Sequence, residues 1–94
     1  MAEENELRDL LRQRIESLRA TPYLELRRWL EPEHLVLVGP SGAPYDVEVQ
    51  ALWDGPRVHD GDLRVMVSGW EPGRQGVGTT EDFIMAPDGT FVGE

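Results

Sequence analysis

The apolar residues of this chain change their period once, near residue 34, and that change constrains the fold more than any other feature. Before it, Leu7, Leu10, Leu11, Ile15 and Leu18 recur at helical spacing, the stripe by which a surface helix faces a core. After it, Tyr45, Val47, Val49, Ala51 and Trp53 alternate with Asp46, Glu48 and Gln50, the period of two of a half-buried strand. Helices first and strands afterwards argue against parallel βαβ units, which interleave the two. The expected fold class is α+β: two N-terminal helices packed on one face of a four- to five-stranded antiparallel meander sheet.

The first helix is expected over about 3–20, with Glu3, Glu4 and Glu6 at its start and Arg19 near its end, each charge matched to the helix dipole. In "TPYLELRRWLEP", Thr21 offers a cap, Pro22 suits the first helical position and Pro32 stops the segment, so a second helix is expected over about 22–30. Strands are expected over about 34–38, 45–53, 63–70, 82–86 and 90–93 of a single domain. "LVLV" at 35–38 is apolar on both faces, while Leu63, Val65 and Val67 oppose Arg64, Met66 and Ser68. The loop "DGPRVHDGD" joins two of these strands into a long hairpin. The chain's last stretch, "DFIMAPDGTFVGE", reads as a closing hairpin rather than a working site: Pro87 presets a turn dihedral and Gly89 supplies a positive φ.

A chain of 94 residues with net charge −9 and no cysteine excludes a disulfide framework and thiolate chemistry. The start "MAEENELRDL" lacks the apolar core of a signal peptide and no apolar run approaches a bilayer's thickness, so the expected location is the cytoplasm. All nine cations are Arg; residues 1–30 are balanced at six Arg and six acids, and the whole negative charge lies in 31–94. An acidic body repels phosphate, so neither nucleic acid nor an anionic membrane is expected as a partner. A cationic protein is the partner the charge allows.

Candidate chemistry is sparse. Asp54, His59, Asp60 and Asp62 carry oxygen and imidazole ligands suited to a divalent cation, but their spacing lacks the pattern of an EF-hand and doubles as turn composition. "GRQGVG" reverses the order of a dinucleotide fingerprint and carries Arg74 as its only cation. Ser41 lies in a turn rather than a nucleophile elbow, and His34 heads an apolar strand. Asp46 and Glu48 share a strand face and are expected near Arg64 across the hairpin, as an ordinary cross-strand charge pairing. Trp70, beside the glycine-rich loop, is the aromatic hardest to assign to the core, and Trp29 is similar; exposed aromatics beside loops serve as binding anchors.

The stretch "EDFIMAPDGTFVGE" resembles the ends of small bacterial α+β proteins of no assigned function that pair an N-terminal helix with a short β-meander. The resemblance is confined to the C-terminal third. It implies a bacterial origin and an α+β fold, and no activity or site residue.

The function expected is a non-enzymatic, cytoplasmic interaction or accessory module without a cofactor. It would be a monomer or homodimer that meets a cationic partner through Asp46, Glu48, Asp54, Asp60 and Asp62, with Trp70 as anchor. The alternative is a small-molecule or metal-binding domain using the loops 54–62 and 71–80.

Overall fold

The computed structural model describes the backbone of residues 2–55, 61–71 and 78–94, with side chains from Glu6 onward. Helix α1 spans Ala2–Arg19 and α2 spans Tyr23–Leu26, followed by a 3-10 turn over Arg27–Leu30. Four strands follow: β1 (Glu33–Val38), β2 (Pro44–Trp53), β3 (Leu63–Trp70) and β4 (Thr79–Met85). They form one sheet in the order β1-β2-β3-β4, every neighbouring pair antiparallel. This is the α+β meander that the change of period predicts.

Three expectations are corrected. The segment 90–93 is no fifth strand: Phe91 makes a single bridge to Met85, and the Val92 N–H donates to the Ile84 carbonyl at 2.9 Å. The turn at Gly89 (φ 90°) returns the chain beside the end of β4, where pairing stops at that one bridge. β4 itself begins at Thr79 rather than 82, drawing the two threonines out of the expected loop. The second helix tightens to 3-10 geometry after Leu26, and Pro22 is its N-cap, without a side-chain hydrogen bond. Thr21 turns its hydroxyl back to the Ser17 carbonyl at 3.0 Å instead of capping forward.

The core lies between the helices and one face of the sheet. Leu7, Leu11, Ile15 and Leu18 of α1 meet Tyr45, Val47, Val49, Ala51, Leu63, Val65, Val67, Phe83 and Met85, all buried. α1 lies over β3 and β4, and the 3-10 turn over β2. Trp29 is buried within this core and its Nε1–H donates to Glu33 Oε1 at 2.9 Å. It is therefore a core residue that has found the partner a buried indole needs, not an exposed anchor.

Polar contacts pin both ends of α1. At its start, Glu6 accepts the Ser41 N–H (2.9 Å), the Ser41 hydroxyl (2.7 Å) and the Tyr45 hydroxyl (2.8 Å), fastening the β1–β2 turn to the helix. These bonds, the Ser41 hydroxyl foremost, hold the Glu6 carboxyl below its usual range. At its end, Arg19 grips Glu94 with two hydrogen bonds of 2.6 and 2.7 Å and stacks its guanidinium 3.9 Å from the Phe91 ring centroid. The C-terminal segment is thereby clasped to the helix. Among the described residues no helix is long and apolar enough to cross a membrane.

Candidate functional site

Because side chains alternate along each strand, the helices cover one face of the sheet, and among the described residues no element covers the other. Strand register arranges that open face in straight rows. One row is Val36–Asp46–Trp70; the next is His34–Glu48–Ser68–Thr80; beyond them lie Gln50–Met66–Asp82 and Leu52–Arg64–Ile84. Val36 and Val38 are 59% and 63% exposed and Leu52 is 42% exposed, high values for apolar strand residues. His34, Leu35, Val36, Asp46, Val47 and Trp70 line an open depression of about 260 Å³.

The charges of this face divide into a neutralised half and an acidic half. Toward β4, Arg64 hydrogen-bonds Asp82 and lies 3.4 Å from Asp54. The Asp82 hydrogen bond chiefly raises the guanidinium above its already high ordinary value, keeping it charged. Toward β1, Glu48 Oε2 lies 3.4 Å from His34 Nε2, and Asp46 has no ion-pair partner among the described residues. Glu33, exposed at the start of β1, lies on the helix side and accepts from Trp29, and neither β1 nor β2 contains an Arg.

Trp70 forms the inner wall of the depression, half-buried and directly opposite Asp46. Gly78 backs it: a Cβ built there would sit 2.6 Å from the indole Nε1 and would collide with the Gly69 carbonyl. Only glycine lets the start of the next strand pass this close behind the ring.

β1 has a free outer side. Hydrogen-bonded and non-hydrogen-bonded pairs alternate along an antiparallel ladder. The Gly39 N–H bonds the Ala43 carbonyl at 3.0 Å, and Pro44, which has no N–H, stands opposite Val38. The other hairpin gives the same phase: the Asp54 N–H bonds the Asp62 carbonyl at 2.8 Å, so even-numbered β2 residues address β3 and odd-numbered ones address β1. Glu33, Leu35 and Leu37 therefore bond β2, while His34, Val36 and Val38 turn their N–H and C=O groups outward. Among the described residues no strand pairs with that side.

The structure sorts the residues expected at a site. Asp46, Glu48 and Trp70 come together on the open face. Arg64 does not join them: register sets it opposite Leu52, four residue pairs along from Glu48, and its carboxylates are Asp82 and Asp54. Asp54 and Asp62 face each other at the mouth of the β2–β3 hairpin, away from Asp46. His59, Asp60 and Arg74 lie outside the described residues. Among the described residues no group of three or more His, Asp or Glu side chains converges as metal ligands would. Sequence reasoning passed over Val36, Val38 and His34 as site residues. Their signal was the "LVLV" run, apolar on a face the helices cannot reach.

Fold and site together define a small α+β domain with one sheet face covered by helices and the other, acidic beside β1, uncovered among the described residues. Set against protein-family models, curated proteins and solved structures, the chain matches none of them.

Proposed function

We propose that this chain is a non-enzymatic interaction module of a reducing, cytoplasmic compartment that receives a cationic protein on the open face of its sheet. The observation that carries this reading is the row Val36–Asp46–Trp70, where exposed apolar surface, a carboxylate without an ion-pair partner and an indole stand side by side. An arginine or lysine entering the depression meets Asp46 as counter-ion and the Trp70 ring as a cation–π wall, while its stem covers Val36. Charge on this half of the face repels anionic ligands and speeds the approach of cationic ones. The absence of cysteine from the chain suits a reducing compartment.

The test uses a labelled peptide of alternating arginine and valine and fluorescence anisotropy with the full chain. Binding at low salt should weaken steeply at high salt. Asp46→Asn and Trp70→Ala should each weaken it by about tenfold, the scale of one charge-assisted or cation–π contact. Asp9→Asn and Glu16→Gln, on exposed positions of α1, change net charge equally and should leave it unaltered. Equal losses from Asp46→Asn, Asp9→Asn and Glu16→Gln, with none from Trp70→Ala, would reduce the interaction to bulk charge and sink the reading.

A further inference from the structure

The sheet has two outer edges, β1 and β4, and the two are guarded differently. Natural sheets blunt their edges with lysines, prolines, bulges or covering segments, because bare N–H and C=O groups recruit foreign strands. The opposite edge, β4, is covered at its end by Phe91 and Val92. β1 has no such cover among the described residues, and its centre, Leu35–Val38, contains neither a charge nor a proline. The residues that turn their backbone outward, His34, Val36 and Val38, are also those whose side chains stand on the open face.

Resting on the reading of the open face as a cation-binding surface, we infer that β1 accepts an extended basic segment of a partner protein as a fifth strand. Strand addition supplies backbone hydrogen bonds for affinity, and alternate side chains supply specificity. Every second residue of the added strand falls on the open face beside Val36 and His34. From there its side chain reaches toward Asp46, one strand further in, about 9–10 Å away. Charge selects the occupant. Asp46 and Glu48 stand next to β1 on the open face and Glu33 begins the strand, without an Arg on β1 or β2, so a basic segment is attracted. A second copy of the chain, also at −9, is repelled.

The experiment compares the arginine–valine peptide, about eight residues long so that it spans β1, with two backbone-methylated forms. One carries N-methyl groups on its arginines, the other on its valines. In a strand, residues two apart direct their N–H groups to the same side, so only one of these sets addresses β1 whether addition is parallel or antiparallel. Expected is a loss of about tenfold or more for one methylated peptide, as several backbone hydrogen bonds disappear, and parent-like binding by the other. Val36→Pro, which removes an outward N–H without touching the β1–β2 ladder, should lose the parent peptide as well. The methylated peptides decide the matter if that variant does not fold. Equal binding by both methylated peptides, or equal loss by both, overturns strand addition. If the parent still responds to Asp46→Asn in that case, the open-face reading stands without it. If the parent does not bind even at low salt, both fall together.

Discussion

Gly69 is the position where the packing of α1 on the sheet can be tested most sharply. It lies on the helix side of β3, opposite Val47 and Thr79. A Cβ placed there would stand 2.8 Å from Leu7 Cδ1 and 3.2 Å from Leu11 Cδ2. Comfortable carbon contacts begin near 3.5 Å, so Leu7 must retreat by roughly 0.7 Å. It is 6% exposed and Leu11 is fully buried, leaving neither side chain an easy way out. Overpacking of this kind costs about 1–3 kcal/mol. Removing a strand glycine returns about 0.5–1 kcal/mol of backbone entropy. Gly69→Ala should therefore destabilise by roughly 0.5–2 kcal/mol. Leu7→Ala alone opens a cavity and costs about 2–5 kcal/mol. In the double variant the new methyl occupies part of that cavity and its clash is gone. The double variant should be more stable than the sum of the singles by about 1–2 kcal/mol. Urea unfolding followed by circular dichroism, with unchanged denaturant slopes, measures all four corners of the cycle. Additivity within about 0.3–0.5 kcal/mol would refute close packing of Leu7 on Gly69, as would a Gly69→Ala variant more stable than the parent.

Two further outcomes follow from polar contacts. Tyr23 donates its hydroxyl to the Gly61 carbonyl at 2.6 Å, tying α2 to the end of the β2–β3 hairpin; Tyr23→Phe should cost about 0.5–1.5 kcal/mol in the same urea assay, and a neutral result would show that bond to be dispensable. The carboxyls of Glu6, Glu94 and Asp88 are all held below their ordinary values, by Ser41, Arg19 and Thr90 respectively as the leading causes. A lowered folded-state pKa means the unfolded chain binds protons more readily, so this stabilisation is complete above the ordinary values of 4.5 and 3.8 and is lost as pH falls through the folded ones. Melting temperature should thus decline on acidification below about pH 4.5, and Glu6→Gln should show a shallower decline. An identical pH profile for that variant would remove Glu6 from the linkage.

Local periodicity carried the fold a long way. The α1 stripe, the alternation of β2 and β3 and the turn at Pro87–Gly89 each depend on neighbours within a few residues, and each stands where the spacing placed it. What failed depended on partners far along the chain. Strand 90–93 had an acceptable composition, but its pairing with β4 goes no further than the bridge of Phe91 to Met85. Trp29 looked like a border residue on its own helix because its hydrogen-bond partner, Glu33, lies beyond Pro32 in the next element. The pairing of Arg64 with Asp46 and Glu48 failed on register: the hairpin brings Leu52, not Glu48, opposite Arg64, and a distance of four pairs separates charges that share a face.

The free edge was nearer to being legible than the site residues were. Proline cannot donate to a ladder, so Pro44 must occupy a non-hydrogen-bonded position. That single residue sets which half of β1 bonds inward once the hairpin is closed at Gly39 and Ala43. The consequence is that one set of residues, His34, Val36 and Val38, carries both the outward backbone and the open-face side chains. Backbone recognition at the edge and side-chain recognition on the face are therefore not separate surfaces. A segment that pairs with β1 places alternate residues on the open face, beside the row leading to Asp46 and Trp70. This geometric coupling makes an extended basic segment a better fit than a globular cationic surface, which could meet Asp46 but could not fill the ladder.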